Sequence, residues 1–250
     1  GCLTFFLVAG VLEYRSQKSM EELRSKIEKE EALNSRYEEV KQRNEVVIDW
    51  LPQDTEDLVP EASRKSIPFE KESVNEQKIL PKYTDVYREN NDFAGWLQIM
   101  DTGIDYPVMY GPDNEYYLSH NIEGKYDKNG MLIMDVGCCI NGNSPQYIIY
   151  GHNVQSGRMF GELLNYKDKA YRKFHPTIQF DLLTEEAEYE IVSVFLVSLD
   201  EEDELAKFYQ QKEFKDENTF SEYIRLIKEN SLYEIETVPV YGKPLITLVT

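Results

Sequence analysis

A single histidine at the end of an apolar run is the residue of this chain best placed to do chemistry. The run Tyr-Ile-Ile-Tyr at 147–150 is typical of a buried strand, and Gly151 then leads directly to His152. An imidazole titrates near neutral pH, so a histidine held at the mouth of a strand can act as a general acid or base. The pattern therefore predicts His152 as a catalytic residue.

The remaining histidines and the cysteines are weaker candidates. The chain contains three histidines and three cysteines. His120 and His175 stand in sequences typical of ordinary loop or strand-edge positions. Cys138 and Cys139 are adjacent, and either could pair with a histidine as a thiol nucleophile. A loop cysteine without a nearby cationic helix end is a poor thiolate, however, so we expect both to be small, partly buried turn residues.

Several common catalytic motifs do not occur in the sequence. It has no Gly-x-Ser-x-Gly, no His-Glu-x-x-His, no P-loop and no Gly-x-Gly-x-x-Gly. These patterns mark hydrolase nucleophile elbows, zinc proteases and nucleotide-binding loops respectively. The cysteine spacing also predicts neither a disulfide framework nor a zinc site.

The charge of the chain limits its partners. Lys and Arg number 27 and Asp and Glu number 46, which gives a formal net charge of -19. Nucleic-acid binding needs clustered positive charge, so we expect no nucleic-acid partner. The composition is 41% hydrophobic and 12% aromatic, which is sufficient for a β-rich core within 250 residues.

The N-terminal third differs in composition from the rest. Residues 1–12 carry no charge and are interpreted as the remnant of a transmembrane anchor, with a buried N-terminal helix as the alternative. Residues 13–52 are charged and have loosely helical apolar spacing, which predicts a membrane-proximal helix. Residues 53–80 are acidic and contain prolines, as a linker would.

Short strands dominate the predicted globular domain at 81–250. We expect strands at 93–99, 104–110, 130–134, 147–150, 177–182, 189–197, 237–240 and 245–250. A short helix is expected at 83–91, helical turns within 158–174, and a helix at 219–230 after a capping-box pattern that begins at Thr219. This order predicts a mainly β fold, a barrel or sandwich with helical insertions.

From about Pro81 to Thr250 the chain resembles the sortases, and class B sortases most of all. The resemblance rests on several short patterns in the expected order: Gly95-Trp96-Leu97, 104–108, 113–118, 130–135, Tyr150-Gly151-His152-Asn153, 174–180 and Thr247-Leu248-Val249-Thr250. Each pattern is weak alone, and their order makes the resemblance strong. It implies an eight-stranded β-barrel with an N-terminal helical extension, whose last strand is expected beyond Thr250.

The resemblance implies a cysteine transpeptidase without a metal or organic cofactor. In that family a thiolate attacks a threonine carbonyl in the C-terminal sorting motif of a surface protein, and the histidine protonates the leaving amine. An amine of a peptidoglycan precursor then resolves the thioester. Carried onto this sequence, His152 is the catalytic acid, and Asn114, Leu118 and Thr250 contact the substrate. The nucleophilic cysteine is expected directly after Thr250, with an oxyanion-stabilising arginine on the following strand.

The resemblance also implies a location and partners. We expect a single-pass protein of the cell membrane of a Gram-positive cell, with its catalytic domain extracellular. The expected partners are surface proteins that carry a sorting signal, a peptidoglycan precursor amine, and the membrane through the N-terminal anchor.

Three alternatives remain open from the sequence. The same chemistry could polymerise pilins, or a sortase-like protein without activity could bind or scaffold peptides. A membrane-tethered coiled-coil adaptor that acts through residues 13–50 is the third. Val249 stands where class B members often have serine, and residues 136–140 and 199–215 match the family pattern poorly.

Overall fold

The computed structural model of the chain describes residues 21–29, 31, 32, 35, 78–140, 142, 144–196 and 211–250. The predicted anchor remnant at 1–12 and most of the predicted linker at 53–80 lie outside these ranges. The account below concerns the described residues.

Seven strands form one sheet that nearly closes into a barrel. They are β1 (Phe93–Gln98), β2 (Asp105–Met109), β3 (Leu132–Met134), β4 (Gln146–Tyr150), β5 (Thr177–Leu182), β6 (Glu188–Glu190) and β7 (Leu245–Val249). Their order across the sheet is β6-β5-β1-β2-β3-β4-β7. The β2–β3 and β4–β7 pairs are parallel, and the β1–β2, β1–β5, β3–β4 and β5–β6 pairs are antiparallel. The predicted mainly β fold with helical insertions is confirmed.

Four α-helices and three short 3-10 helices surround the sheet. The α-helices are α1 (residues 21–29), α2 (Thr84–Glu89), α3 (Lys169–Phe174) and α4 (Glu217–Glu229). The 3-10 helices span Pro81–Tyr83, Tyr116–Leu118 and Gly161–Lys167. Because α4 is amphipathic, it packs its apolar face inward and buries Phe220, Tyr223, Ile224 and Ile227.

The start of α4 differs from the predicted one. Asp216 is the N-cap residue, and its side chain accepts a 2.8 Å hydrogen bond from the backbone N–H of Thr219. Thr219 closes the reciprocal half of the capping box, since the backbone N–H of Asp216 donates to its hydroxyl at 3.1 Å. The capping pattern was therefore recognised three residues too late, because aspartate caps as well as threonine does.

The core lies inside the barrel and continues under α1. Residues of β1, β3 and β4 are almost wholly shielded from solvent, and Leu97, Ile133 and Tyr147 are 0% exposed. Leu23 and Ile27 of α1 belong to the same apolar cluster. They stand four residues apart and so lie on one face of the helix. The N-terminal helical segment is thus packed on the barrel through that face.

Of two predicted strands, the one at 189–197 is formed only at Tyr189 and Glu190, within β6, and the one at 237–240 is not formed. Strand β6 ends at Glu190, and residues 191–196 and 237–240 form no ladder. Beyond Ile191 the chain leaves β5 and packs against α4 through Val192 and Phe195. In the second segment Pro239 lacks an N–H donor, which disfavours a strand there. Apolar alternation predicted strands in both places, but the sheet offers these segments no partner.

The predicted membrane location is corrected by the structure. No helix among the described ranges is both long enough and apolar enough to cross a bilayer. A transmembrane helix needs about 20 mostly apolar residues. Helix α4, by comparison, has 13 residues and carries Arg225, Lys228 and Glu229. The expectation of a single-pass membrane anchor is therefore contradicted over the part of the chain that the structure describes.

Candidate active site

The parallel pair β4–β7 brings two distant parts of the chain to one edge of the sheet. In its register Tyr150 lies opposite Val249, and the backbone N–H of Gly151 donates to the carbonyl of Val249 at 3.0 Å. The carboxyl ends of parallel strands meet at the same edge. His152 and Thr250, which follow these two strand ends, therefore stand on the same side of the sheet.

A groove of about 960 Å³ opens at this edge. Its lining includes Leu118, Tyr150 and His152, which we call the inner wall, and β7 up to Thr250. Residues of 188–196 and 237–240 also line it, and we call them the outer wall. The structure thus brings together three of the four predicted site residues, His152, Leu118 and Thr250, in one cavity.

His152 is exposed to the groove and is oriented by a hydrogen bond. Its Nε2 lies 2.8 Å from the carbonyl oxygen of Leu118. A carbonyl oxygen only accepts, so Nε2 carries the proton of this hydrogen bond, and Nδ1 is the ring nitrogen left to accept or donate a proton. The imidazole therefore has the exposure and orientation of a general acid or base.

The loop after His152 is hydrogen-bonded to the residues that follow the end of β4. The backbone N–H of Phe160 donates to the carbonyl of His152 at 3.0 Å, and Asn153 forms an isolated β-bridge with Met159. Met159 has a positive φ of 52° and is 1% exposed. A left-handed conformation at a non-glycine residue is uncommon and costs backbone energy. The buried loop thus holds the histidine backbone in a defined position.

Asn114, the fourth predicted site residue, is not among the residues that line the groove. Its Nδ2 donates to Asp135 at 3.1 Å, and its Oδ1 accepts a 2.9 Å bond from the backbone N–H of Val136. Both ends of the amide are therefore engaged in joining the turn before Leu118 to the end of β3. The structure gives Asn114 a place in the support of the groove.

Cys138 has the surroundings of a structural thiol. It is 4% exposed, and its Sγ contacts the carbonyl of Gln146 and the N–H of Ile148, both at 3.5 Å. Burial raises the pKa of its thiol to about 11. Cys138 lies beside the first half of β4, whereas His152 follows its last residue. Neither Cys138 nor Cys139 is among the residues that line the groove.

The sequence reading missed most of the outer wall of the groove. This wall presents apolar side chains of two segments, among them Tyr189, Ile191, Val194, Val238 and Val240. The apolar alternation of the two segments predicts strands, but beyond Glu190 neither segment forms one. Within the described part of the chain, no cluster of His, Cys, Asp and Glu side chains could hold a metal ion.

The known proteins and solved structures that resemble this chain are sortase B proteins. No family profile matches the chain. Over 174 residues it is 35% identical to sortase B of Listeria monocytogenes, a match that covers 69% of this chain and 68% of the relative. The solved structure of sortase B from L. monocytogenes superposes with a TM-score of 0.59 at 33% identity, and covers 66% of this chain and 90% of that one.

A second solved structure extends the likeness along the chain. It is a Bacillus anthracis protein similar to sortase B, with a TM-score of 0.69 at 24% identity. The superposition covers 94% of this chain and 89% of the B. anthracis chain. At this level of identity the likeness concerns the fold alone.

Proposed function

Because this chain belongs to the class B sortase family, we propose that it acts as a cysteine transpeptidase on surface proteins. It cleaves a C-terminal sorting motif after threonine and transfers the new acyl end to an amine of peptidoglycan. The observation that carries the proposal is the parallel pairing of β4 with β7, which places the residues after Tyr150 and after Val249 side by side.

In this proposal the nucleophile is the cysteine that the resemblance to the class B sortases predicts directly after Thr250. Its thiolate attacks the threonine carbonyl, the C–N bond breaks, and the proton of imidazolium His152 passes to the leaving amine. The acceptor amine then attacks the thioester and gives a proton to neutral His152, the C–S bond breaks, and the thiolate and the imidazolium are both restored. A thiolate and an imidazolium stabilise each other's charge, which supports the pairing of a residue at this position with His152.

The groove suits an extended peptide. Apolar side chains such as those of Leu118 and Val194 line it, together with residues of β7. Small-molecule and peptide sites commonly combine apolar walls with a few polar groups that fix orientation. In this proposal Leu118 and Thr250 contact the sorting motif directly.

The test uses the protein expressed from its complete reading frame, a fluorogenic sorting-signal peptide and triglycine as the amine. Mass spectrometry should detect a thioester adduct of the protein and a peptide–triglycine product. His152→Ala should lower the rate by roughly 10²–10⁴-fold, the usual contribution of general acid–base catalysis. Unchanged activity in this variant would refute the role of His152.

His175→Ala is the matched control. This second histidine does not line the groove, and its Nδ1 lies 2.9 Å from the carbonyl of Met100. The variant should keep the wild-type rate, because it removes only this hydrogen bond and a ring contact with Tyr171, and neither Met100 nor Tyr171 lines the groove.

A second candidate function is peptide binding without cleavage. It is favoured by one observation: of the cysteines that the structure describes, Cys138 and Cys139, neither lines the groove. Fluorescence anisotropy with the same peptide would show saturable binding in either case. A peptide mass that stays unchanged after prolonged incubation would support the binding protein, and a thioester adduct would exclude it.

A further inference from the structure

A buried carboxylate at the end of β3 collects four hydrogen-bond donors from different parts of the chain. Asp135 is 3% exposed. Its Oδ1 accepts from the backbone N–H of Gly137 at 2.7 Å and pairs with Lys212 Nζ at 2.5 Å. Its Oδ2 accepts from the Tyr150 hydroxyl at 2.8 Å and from Asn114 Nδ2 at 3.1 Å. The carboxylate is therefore fully engaged, as a buried charge must be.

Two of these donors, Tyr150 and Asn114, belong to the elements that form the inner wall of the groove. Tyr150 is the last residue of β4, two positions before His152. Asn114 belongs to the turn that ends at Leu118, whose carbonyl oxygen orients the imidazole. Asp135 thus fixes both the strand end that carries His152 and the turn that supplies its hydrogen-bond partner.

The third side-chain donor, Lys212, lies next to residues that pack against the outer wall. Lys212 stands two residues before Phe214, whose ring packs on Phe220 of α4 at 5.2 Å between centroids. The same apolar cluster includes Val192 and Phe195, which line the groove. The ion pair of Lys212 with Asp135 therefore ties this cluster to the barrel.

Gly137 makes room for the lysine. A Cβ atom built on Gly137 would lie 2.4 Å from Lys212 Nζ and 2.9 Å from its Cδ. Any larger residue at this position would therefore require the end of the lysine side chain to shift. The side chain of Lys212 is 31% exposed and that of Asp135 is 4% exposed, so the pair is largely shielded from water.

The balance of effects on Asp135 keeps it charged. Burial raises the pKa of its carboxyl. The hydrogen bonds from Lys212, Gly137 and Tyr150, together with the charge of Lys212, lower that pKa by a larger amount. The net pKa is below the usual value. At neutral pH the carboxylate is thus ionised and able to hold all four donors.

We propose that Asp135 is a positioning residue that holds the two walls of the groove at a fixed separation, the outer wall through Lys212 and the inner wall through Asn114 and Tyr150. The separation sets how closely the walls fit an extended peptide. The identity of that ligand rests on the proposed function, whereas the positioning role depends only on the contacts above.

Hydrogen exchange of the 250-residue chain tests the positioning role without reference to activity. Lys212→Met keeps the aliphatic stem and removes the charge, so backbone exchange within 191–196 and 213–216 should rise about tenfold. Exchange within 113–118 should change less than about twofold in the same variant. Asp135→Asn replaces one acceptor oxygen by a donor group and should raise exchange in all three segments and in 149–152.

Three further variants sharpen the comparison. Lys212→Arg keeps the charge and should restore wild-type exchange. Gly137→Ala should reproduce Lys212→Met, because its Cβ displaces the flexible end of the lysine. Lys215→Met is the matched control, since Lys215 lies in the same segment and is exposed. Equal exchange in Lys212→Met and Lys215→Met would overturn the proposal, as would a uniform rise throughout the strands of the barrel.

A kinetic readout separates positioning from general stability. In the protein from the complete reading frame, Lys212→Met should raise KM for the sorting peptide about tenfold, keep kcat within about twofold, and be rescued by Lys212→Arg. A tenfold fall of kcat with an unchanged KM in Lys212→Met would overturn the proposal. If the wild-type protein transfers no peptide, the proposed function fails, and the exchange comparison still decides the role of Asp135.

Discussion

At the scale of single residues, surroundings decide which side chain can react. His152 is exposed at the end of β4 and is oriented by one backbone carbonyl. Cys138 is enclosed beside the same strand, and burial raises the pKa of its thiol to about 11. Cys138 is therefore a poor nucleophile for this groove, and Cys139 does not line it, although their residue type alone would allow that role.

Alkylation should distinguish Cys138 from a reactive thiol. A pKa near 11 instead of 9.0 leaves about 100-fold less thiolate near pH 8, since the raised value favours the protonated form. With iodoacetamide, Cys138 should therefore react about 100-fold more slowly in the native chain than in urea, as followed by peptide mass mapping. Equal rates in the two states would contradict its burial.

The same argument extends to activity. Replacing both Cys138 and Cys139 by serine should leave peptide transfer by the protein from the complete reading frame at the wild-type rate. Loss of the thioester adduct in this variant would move the nucleophile to the 138–139 turn.

At the scale of elements, α1 is attached to the barrel by both apolar and charged contacts. Leu23 is 5% exposed and Ile27 is 9% exposed, and both belong to the main core cluster. On the polar side Arg24 pairs with Asp105, and Lys26 pairs with Glu89 at 2.6 Å. The apolar face that a coiled-coil adaptor would offer to a partner is thus covered by the barrel over the described residues of α1.

Leu23→Ala should measurably destabilise the chain. Loss of a buried leucine side chain typically lowers the free energy of unfolding by about 2–5 kcal/mol, and an edge position such as α1 favours the lower half of that range. Urea denaturation followed by tryptophan fluorescence gives the midpoint and slope. Glu21→Ala, at an exposed position of the same helix, should stay within about 0.5 kcal/mol of wild type. Equal midpoints for the two variants would show that α1 is not docked in solution.

At the scale of the whole molecule, the dominant property is a formal charge of -19. Ion pairs such as Arg225–Glu229 and Lys125–Glu123 are largely exposed, so each contributes little to stability. An excess of like charge destabilises a compact state by self-repulsion. We therefore expect the surface charge to be a net cost to folding, and the absence of a nucleic-acid partner stays a prediction.

Added salt should therefore stabilise the chain. Raising NaCl from about 10 mM to about 100 mM shortens the Debye length from about 30 Å to about 10 Å, which screens the repulsion. Calorimetry should show a higher Tm in the saltier buffer, whereas glucose at equal osmolality should leave the Tm nearly unchanged. A Tm that falls with salt would mean that attractive pairs, including Lys212–Asp135, outweigh the repulsion.

The sequence by itself determined the features that depend on local pattern. Continuous apolar runs predicted β3 and β4 because central strands are buried on both faces. The same patterns placed His152 at a strand end and predicted α4 to within a few residues. The family resemblance was readable for the same reason, since each of its motifs is a short local pattern around a strand or turn.

Only the tertiary structure decided which distant residues meet. The parallel register of β4 with β7 puts His152 near Thr250, and no local propensity encodes the pairing of such remote segments. Asn114 donates to Asp135, because a buried carboxylate recruits whichever donors the fold brings within reach, and its predicted contact with substrate stays a prediction. Residues 191–196 left the predicted sheet since their apolar side chains found a partner in α4, and burial was available there without a ladder.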